Sequence, residues 1–443
     1  MICRLPVVVF VACFALIAHA RCAPADAPAR VDPAAESARL MARMPTVAPG
    51  QRRVLDVATE ARALIEAARD AAMKRGDHNL FFQALTGYDY GYEKPETAEV
   101  RAARMRNVRA LDDAGFAAMV DEMAKGSPAS DVAFLPFDVP GQMNFHNLVS
   151  DALEARMRVA LEGSDLPTYA RSLEALMAIV RAKELRPDVA GRVECDMIRQ
   201  AMCRELSATI ASTADASVLK VIRDAVAKME PRDATRVVEY LRVNMHDWTA
   251  AIFADPTLLA EVKASPAKVI PSWMKGSILE RRVSSGVSGD PPRILGEYGE
   301  NIEAINAVVE WAHRNTKKDP WARESEADLE ASVPTAGELA LPLLTQLLLR
   351  ADGQLPDVSA WERGVRVALA IESHRGAAGV YPTSLDELVD EQRERAGFGR
   401  DPHADALMRY EVYDEGQRVR IWSVGPNGKD ENGKGDDVVV FEK

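Results

Sequence analysis

"YARSLEALMAIVRAKELRP", Tyr169 to Pro187, decides the fold class. Leu173, Leu176, Met177 and Val180 fall at i, i+3, i+4 and i+7, the spacing that lines one face of an α-helix. Arg171, Glu174, Arg181 and Lys183 occupy much of the remaining surface. Pro187 stops the helix, because proline disfavours helical geometry in the residue before it. The same pattern recurs at 189–211, 216–229 and 232–245, and the separators "STADAS" and "EPRDA" carry residues that suit helix starts. Connections this short lay neighbouring helices antiparallel. No fixed repeat period emerges, so a regular solenoid is not expected.

Outward from this stretch, residues 36–350 read as one helical domain subdivided by two breaks, "GSPASDVAFLPFDVPGQM" at 126–143 and "RRVSSGVSGDPPRILGEYG" at 281–299. Gly286 and Gly289 in the second make neither a dinucleotide fingerprint nor a phosphate loop, since no strand precedes and no Gly-Lys-Ser/Thr follows. The best apolar run, Leu339 to Leu349, is interrupted by Pro342 and Gln346 and reads as a buried helix. After "ADGQLPD" at 351–357 the composition changes. A helix over about 359–375 sets Trp361, Val365, Ala368 and Leu369 on one stripe. In "GVYPTSLDELV", Ser384 and Glu387 stand at capping-box spacing. "MRYEVYDEGQRVRIWSV", 408–424, alternates on either side of Asp414-Glu415-Gly416, a hairpin signal, and "DVVVFE" supplies a third strand. The expected architecture is therefore mainly α: a multi-helix domain followed by a small α+β module at 357–443 with a three-stranded antiparallel sheet. The module's helix is expected to pack on its own strands, with Trp361 and Trp422 at least partly buried and fewer contacts to the helical domain.

The N-terminus carries an address. "MICR" precedes "LPVVVFVACFALIAHA", whose apolar core ends in small residues at Ala18 and Ala20. That is the pattern of a secretory signal peptide, 1–20, with cleavage after Ala20. The run is short against the roughly 20 apolar residues of a membrane span, a retained anchor being the alternative. Cys22 does not suit lipidation, because Arg21 stands where a small residue is required. Residues 21–35, rich in Ala, Pro and Asp, read as a flexible leader. The expected location is periplasmic or secreted, with no integral membrane span once the signal is removed.

A chain of 443 residues with 47% hydrophobic and 28% charged residues is globular, and a formal net charge of −12 argues against nucleic acid or anionic lipid as the main partner. Five cysteines are present. Cys195 and Cys203 lie on one predicted helix, roughly 12 Å apart at 1.5 Å per residue, beyond the about 7 Å a disulfide allows. They read as small buried hydrophobes. No H-E-x-x-H, G-x-S-x-G or C-x-x-C motif occurs, the histidines are scattered singly, and no catalytic residue is assigned.

"WSVGPNGKDENGKGDD", Trp422 to Asp437, differs from the rest, with four glycines, two asparagines and three aspartates. Asn427, Asp430, Asn432, Asp436 and Asp437 offer side-chain oxygens, and the glycines let carbonyls turn inward, as calcium requires. It is not an EF-hand: with Gly435 at the glycine position, Lys434 falls at a ligand position and Phe441 where the closing glutamate belongs.

"YPTSLDELV", then "DPHADALMRYEV", then "RIWSVGPNGKDENGKGDDVVVF" resembles the C-terminal head of the major pseudopilin of type II secretion. The resemblance covers about 359–443. It implies a Tyr-Pro turn after the helix, an Asp-Pro turn opening the sheet, and a calcium loop with the Val424 carbonyl, Asn427, Asp436 and Asp437 at or near ligand positions. Asn427 stands where that family generally has aspartate, which removes a charge, and Lys429 and Lys434 add opposing ones. The rest of the chain lacks a pilin leader and instead looks like large secreted helical proteins of bacteria. The expected function is binding or scaffolding in the envelope, its partner another extracytoplasmic protein and its loop stiffened by calcium. The alternatives are a hydrolase using carboxylates in a helical cleft, or an accessory component of a type II secretion or pilus-like system.

Overall fold

The computed structural model describes residues 47–86, 96–129, 147–185, 189–229, 235–257, 259–260, 298–316, 318, 322, 324, 355–389 and 397–443. The expected signal peptide (1–20) and leader (21–35), most of both breaks and the Leu339–Leu349 run lie outside the described residues. The helices are α1 Val54–Arg75, α2 His78–Thr86, α3 Ala98–Asp113, α4 Phe116–Lys125, α5 Asn147–Glu162, α6 Leu166–Glu184, α7 Val189–Ser212, α8 Ala216–Val226, α9 Thr235–Ala254, α10 Tyr298–Asn315 and α11 Leu355–Ala378. A 3₁₀ turn at Leu385–Leu388 precedes strands β1 Arg409–Tyr413, β2 Arg418–Ser423 and β3 Val438–Glu442. The chain is mainly helical with one small antiparallel sheet of order β1-β2-β3. Among the described residues no helix is long and apolar enough to cross a membrane.

α6 is the helix of the opening stretch, and it lies at the centre. It packs on α5, α4, α7, α8 and α1. Leu173, Leu176, Met177 and Val180 are buried as their spacing demands, but so are Tyr169, Ser172, Ile179 and Lys183. A helix touched on most sides buries more than one stripe. Each large apolar side chain so buried contributes about 1.5–3 kcal/mol. Asp165 starts α6 by accepting the Thr168 N–H at 3.1 Å, and Asp215 starts α8 by accepting that of Ser217 at 2.8 Å. α9 runs nine residues past the expected end at 245. Its continuation is held by α10, with Phe253 edge-on to Tyr298 at 5.5 Å between ring centres.

Lys183 corrects the expected polar face. It is fully buried and donates to Glu194 at 2.5 Å. It belongs to a set of ion pairs that cross helix interfaces. Arg156 on α5 reaches Asp112 on α3 at 3.0 Å and Ser172 on α6 at 2.9 Å. Arg199 on α7 is fixed between Glu184 of α6 and Glu362 of α11. Charges so enclosed survive because each has an opposite partner in contact.

The C-terminal block leans on the helical part more than expected. α11 packs most extensively on α7, and with another side on β3 and β2. Gly364 is where helix and strand touch: a Cβ there would stand 2.4 Å from Val440 Cγ2. Arg199 reaches Glu362 at 2.6 Å, the Ser207 hydroxyl donates to the Val440 carbonyl, and Lys443 Nζ donates to Thr213 O at 3.0 Å. Arg204 lies over the Trp361 ring, 5.2 Å from its centre. The helix expected at about 359–375 thus lies between the sheet and the helices α7 and α8, and buries Val358, Val365, Val367 and Ile371 around its circumference. Trp361 is half-buried and Trp422 buried.

Within the block, β1 and β2 pair from Tyr413↔Arg418 to Arg409↔Trp422. Asp414 and Glu415 turn the hairpin with positive φ of 51° and 55°. The expected capping box does not form. Ser384 makes no side-chain cap, and Glu387 accepts instead from the Thr383 N–H at 3.0 Å. A 3₁₀ turn of four residues is too short and too tightly wound for the reciprocal box.

Candidate cation loop and a buried carboxylate cluster

The loop between β2 and β3 begins on a buried anchor. Asp401, of the Asp-Pro turn, is wholly enclosed. It accepts from the Ser423 hydroxyl at 2.5 Å, the Val424 N–H at 2.9 Å and the His403 N–H at 2.9 Å. Val424 is therefore fixed in the core where the loop leaves the sheet. A bulge between Ile421 and Trp422 breaks the alternation, so Ile421 through Val424 are all buried in succession. Gly425 follows with φ +67°, and a Cβ there would meet the Asp436 carbonyl oxygen at 2.0 Å. Only glycine lets the two limbs of the loop pass this closely.

The loop then folds over Trp422. The indole N–H donates to Asp430 Oδ1 at 3.0 Å, and Arg409, opposite Trp422 on β1, donates to Asp430 Oδ2 at 2.8 Å. Asn432 N–H adds a third donor at 3.0 Å. Burial works against ionisation of Asp430, but these donors hold its carboxyl below the usual carboxylate range. Of the five residues proposed from sequence, Asp430 is thus engaged in pinning the loop to the sheet.

Asn427 and Asp436 meet directly: the Asn427 N–H donates to Asp436 Oδ2 at 3.0 Å and its side-chain amide to Asp436 Oδ1. Lys429 N–H turns back to Asn427 Oδ1 at 2.6 Å. Asp437 points inward, its Oδ2 accepting from Glu431 N–H at 2.9 Å and Gly433 N–H at 2.8 Å. Its Oδ1 is buried and makes no hydrogen bond. Lys429 and Lys434 are exposed. Among the described residues no three His, Cys, Asp or Glu side chains are gathered as a metal site. A cation here would accordingly rest on Asp436 and Asp437 with amide and carbonyl oxygens around them, a donor set of the hard kind calcium takes. The unpartnered Asp437 oxygen fits such an ion; the N–H donors already on Asp436 compete with it.

A second polar centre lies between helices, and nothing in the sequence marked it. Glu154 on α5 and Glu205 on α7 both approach Arg158, at 3.9 and 2.6 Å. Asp151 stands one turn before Glu154 on α5. Both glutamates are enclosed, Glu154 3% and Glu205 7% exposed. Two histidines form pairs across α9 and α10: His246 with Asn306 at 3.0 Å and His313 with Glu239 at 2.8 Å. Burial lowers the His246 affinity for a proton, the Asn306 bond opposing. Cys195 and Cys203 are free and buried, and burial pushes the Cys195 thiol up to about 12, which removes them as nucleophiles.

No family model, curated protein or solved structure matches the chain.

Proposed function

We propose that the protein is a secreted or periplasmic component of the bacterial envelope with a binding or scaffolding role, and that calcium stiffens its C-terminal loop. A helical body joined to a small sheet block through enclosed charges is a rigid support for an exposed loop. The observation that carries the calcium part is Asp437, the residue after Asp436, whose inner oxygen is buried without a hydrogen bond. An accessory role in a type II secretion or pilus-like system is the narrower form of this reading, and it rests on the three sequence blocks of the resemblance.

The test is a melting experiment on the full-length protein, processed to begin at Arg21. An ion that binds only the folded state stabilises it by about 2.7 kcal/mol at a hundredfold excess over Kd. Chelator is expected to lower the melting temperature and millimolar calcium to restore it. Magnesium should substitute poorly, because it demands octahedral geometry and gives up water reluctantly. Asp437→Asn, which keeps an acceptor for the Glu431 and Gly433 N–H groups, should abolish the response. Identical curves in chelator and calcium would make the loop a self-capped turn.

A further inference from the structure

Asp151, Glu154 and Arg158 stand at spacings of three and four along α5, so they form one stripe. The stripe meets α7 at Glu205. Arg158 donates to Glu205 Oε2 through both Nε at 2.8 Å and Nη2 at 2.6 Å, while Glu154 Oε2 stands 3.9 Å from the same Nη2. One guanidinium therefore serves two carboxyl groups, and it is committed to Glu205. The other Glu154 oxygen, Oε1, is buried and makes no hydrogen bond. Arg204, the neighbouring cation on α7, is drawn over Trp361 instead. From α6 the facing group is Tyr169, which is fully buried, lies close to Thr209 and Glu205, and carries a hydroxyl whose proton burial holds on.

We propose that Glu154 and Glu205 form a proton-dependent latch: α5 stays seated on α7 while Glu154 is neutral, and loosens as rising pH ionises it beside Glu205. A neutral Glu154 needs only one further hydrogen bond, whereas an ionised one would be a second buried anion on an occupied cation. Burial pushes the Glu154 carboxyl well above the usual range, with the Glu205 carboxylate adding and Arg158 and Arg204 opposing. Asp151, partly exposed at the edge of the stripe, is pushed up to about 7 by burial, again against Arg158. It gives the pair a route for protons to solvent. α7 also carries Arg199, Ser207 and the Ile210 carbonyl that takes up Lys443, so the latch acts on the helix to which the C-terminal block is fastened.

Hydrogen exchange of the full-length protein, read by mass spectrometry from about pH 6 to about pH 9 and corrected for intrinsic rates, tests this. Protection in peptides covering α5 and the C-terminal half of α7 should fall by up to about tenfold per pH unit until the folded-state value of Glu154 is passed, and level off above it. Glu154→Gln keeps the shape and cannot ionise, so above about pH 7, where Asp151 has already released its proton, its protection should not change with pH. Protection independent of pH in the natural protein overturns the proposal, and so does an unchanged profile in E154Q. Should E154Q fail to fold, Glu205→Gln removes the repulsion from α7 and should make the fall in protection smaller and end it at lower pH; a profile identical to that of the natural protein also overturns the proposal.

Discussion

Arg199 is 1% exposed and holds two carboxylates from different helices, Glu184 on α6 and Glu362 on α11. Burial alone would lower its affinity for a proton, but Glu362 and Glu184 more than reverse that, so the guanidinium stays charged. Removing it takes the shared cation from both acids. Arg199→Met is therefore expected to cost about 3–5 kcal/mol, the usual loss when one partner of a buried pair is deleted. Denaturant unfolding measures it, and a loss below about 1 kcal/mol would show that water reaches the two glutamates. Gly425 and Asp401 are the other residues on which a single side chain decides an outcome: the first lets the loop limbs cross, the second holds its entry. Neither role was legible beforehand, because Asp-Pro and Gly-Pro announce turns and say nothing about what the turn will touch.

At the scale of the element, α5 shows how a readable helix can carry an unreadable surface. Asp151 and Glu154 both bind their protons more tightly folded than unfolded. As pH rises, the unfolded chain releases those protons first, and the folded state is penalised. The favourable condition is thus present below the unfolded value, and stability is lost upward from there. For Asp151 the window runs from 3.8 to about 7. Asp151→Asn cannot titrate, so its stability relative to the natural protein should improve through that window, by at most about 1.4 kcal/mol per pH unit. Parallel urea titrations at several pH values check this; a difference that stays constant with pH would contradict it. α11 teaches the same lesson from packing. Its stripe of Trp361, Val365, Ala368 and Leu369 was visible, but its second buried side, with Gly364 against Val440, exists only because both α7 and β3 lie on it.

The whole molecule joins its two parts through α7, and that junction predicts how they separate. A fragment of residues 355–443 would expose the α11 side that now rests on α7 and leave Glu362 without Arg199. Lys443 would lose the carbonyls of Ile210 and Thr213, although it would keep Glu372 at 3.1 Å. Some ninety residues bury too little surface to absorb such losses. The fragment is expected to melt without a cooperative transition in circular dichroism. A sharp transition would show that the three strands and α11 suffice for each other.

Periodicity alone determined the helical class, the order of elements from α6 to α8, the hairpin and the third strand, because those follow from which residues can share a face. It also singled out the loop, since glycines, asparagines and aspartates at that density have few uses in a strand or helix. Only the tertiary structure decided which charged residues are interior. Lys183 and Arg181 look alike in the sequence, yet Lys183 meets Glu194 in the core while Arg181 faces solvent. Glu154, Arg158 and Glu205 become one centre because α5 and α7 lie side by side, and Asp430 leaves the loop's interior because Trp422 and Arg409 reach it first. A side chain's period is local, whereas its partner comes from a distant part of the chain, and a charge is stable in the interior only where that partner arrives.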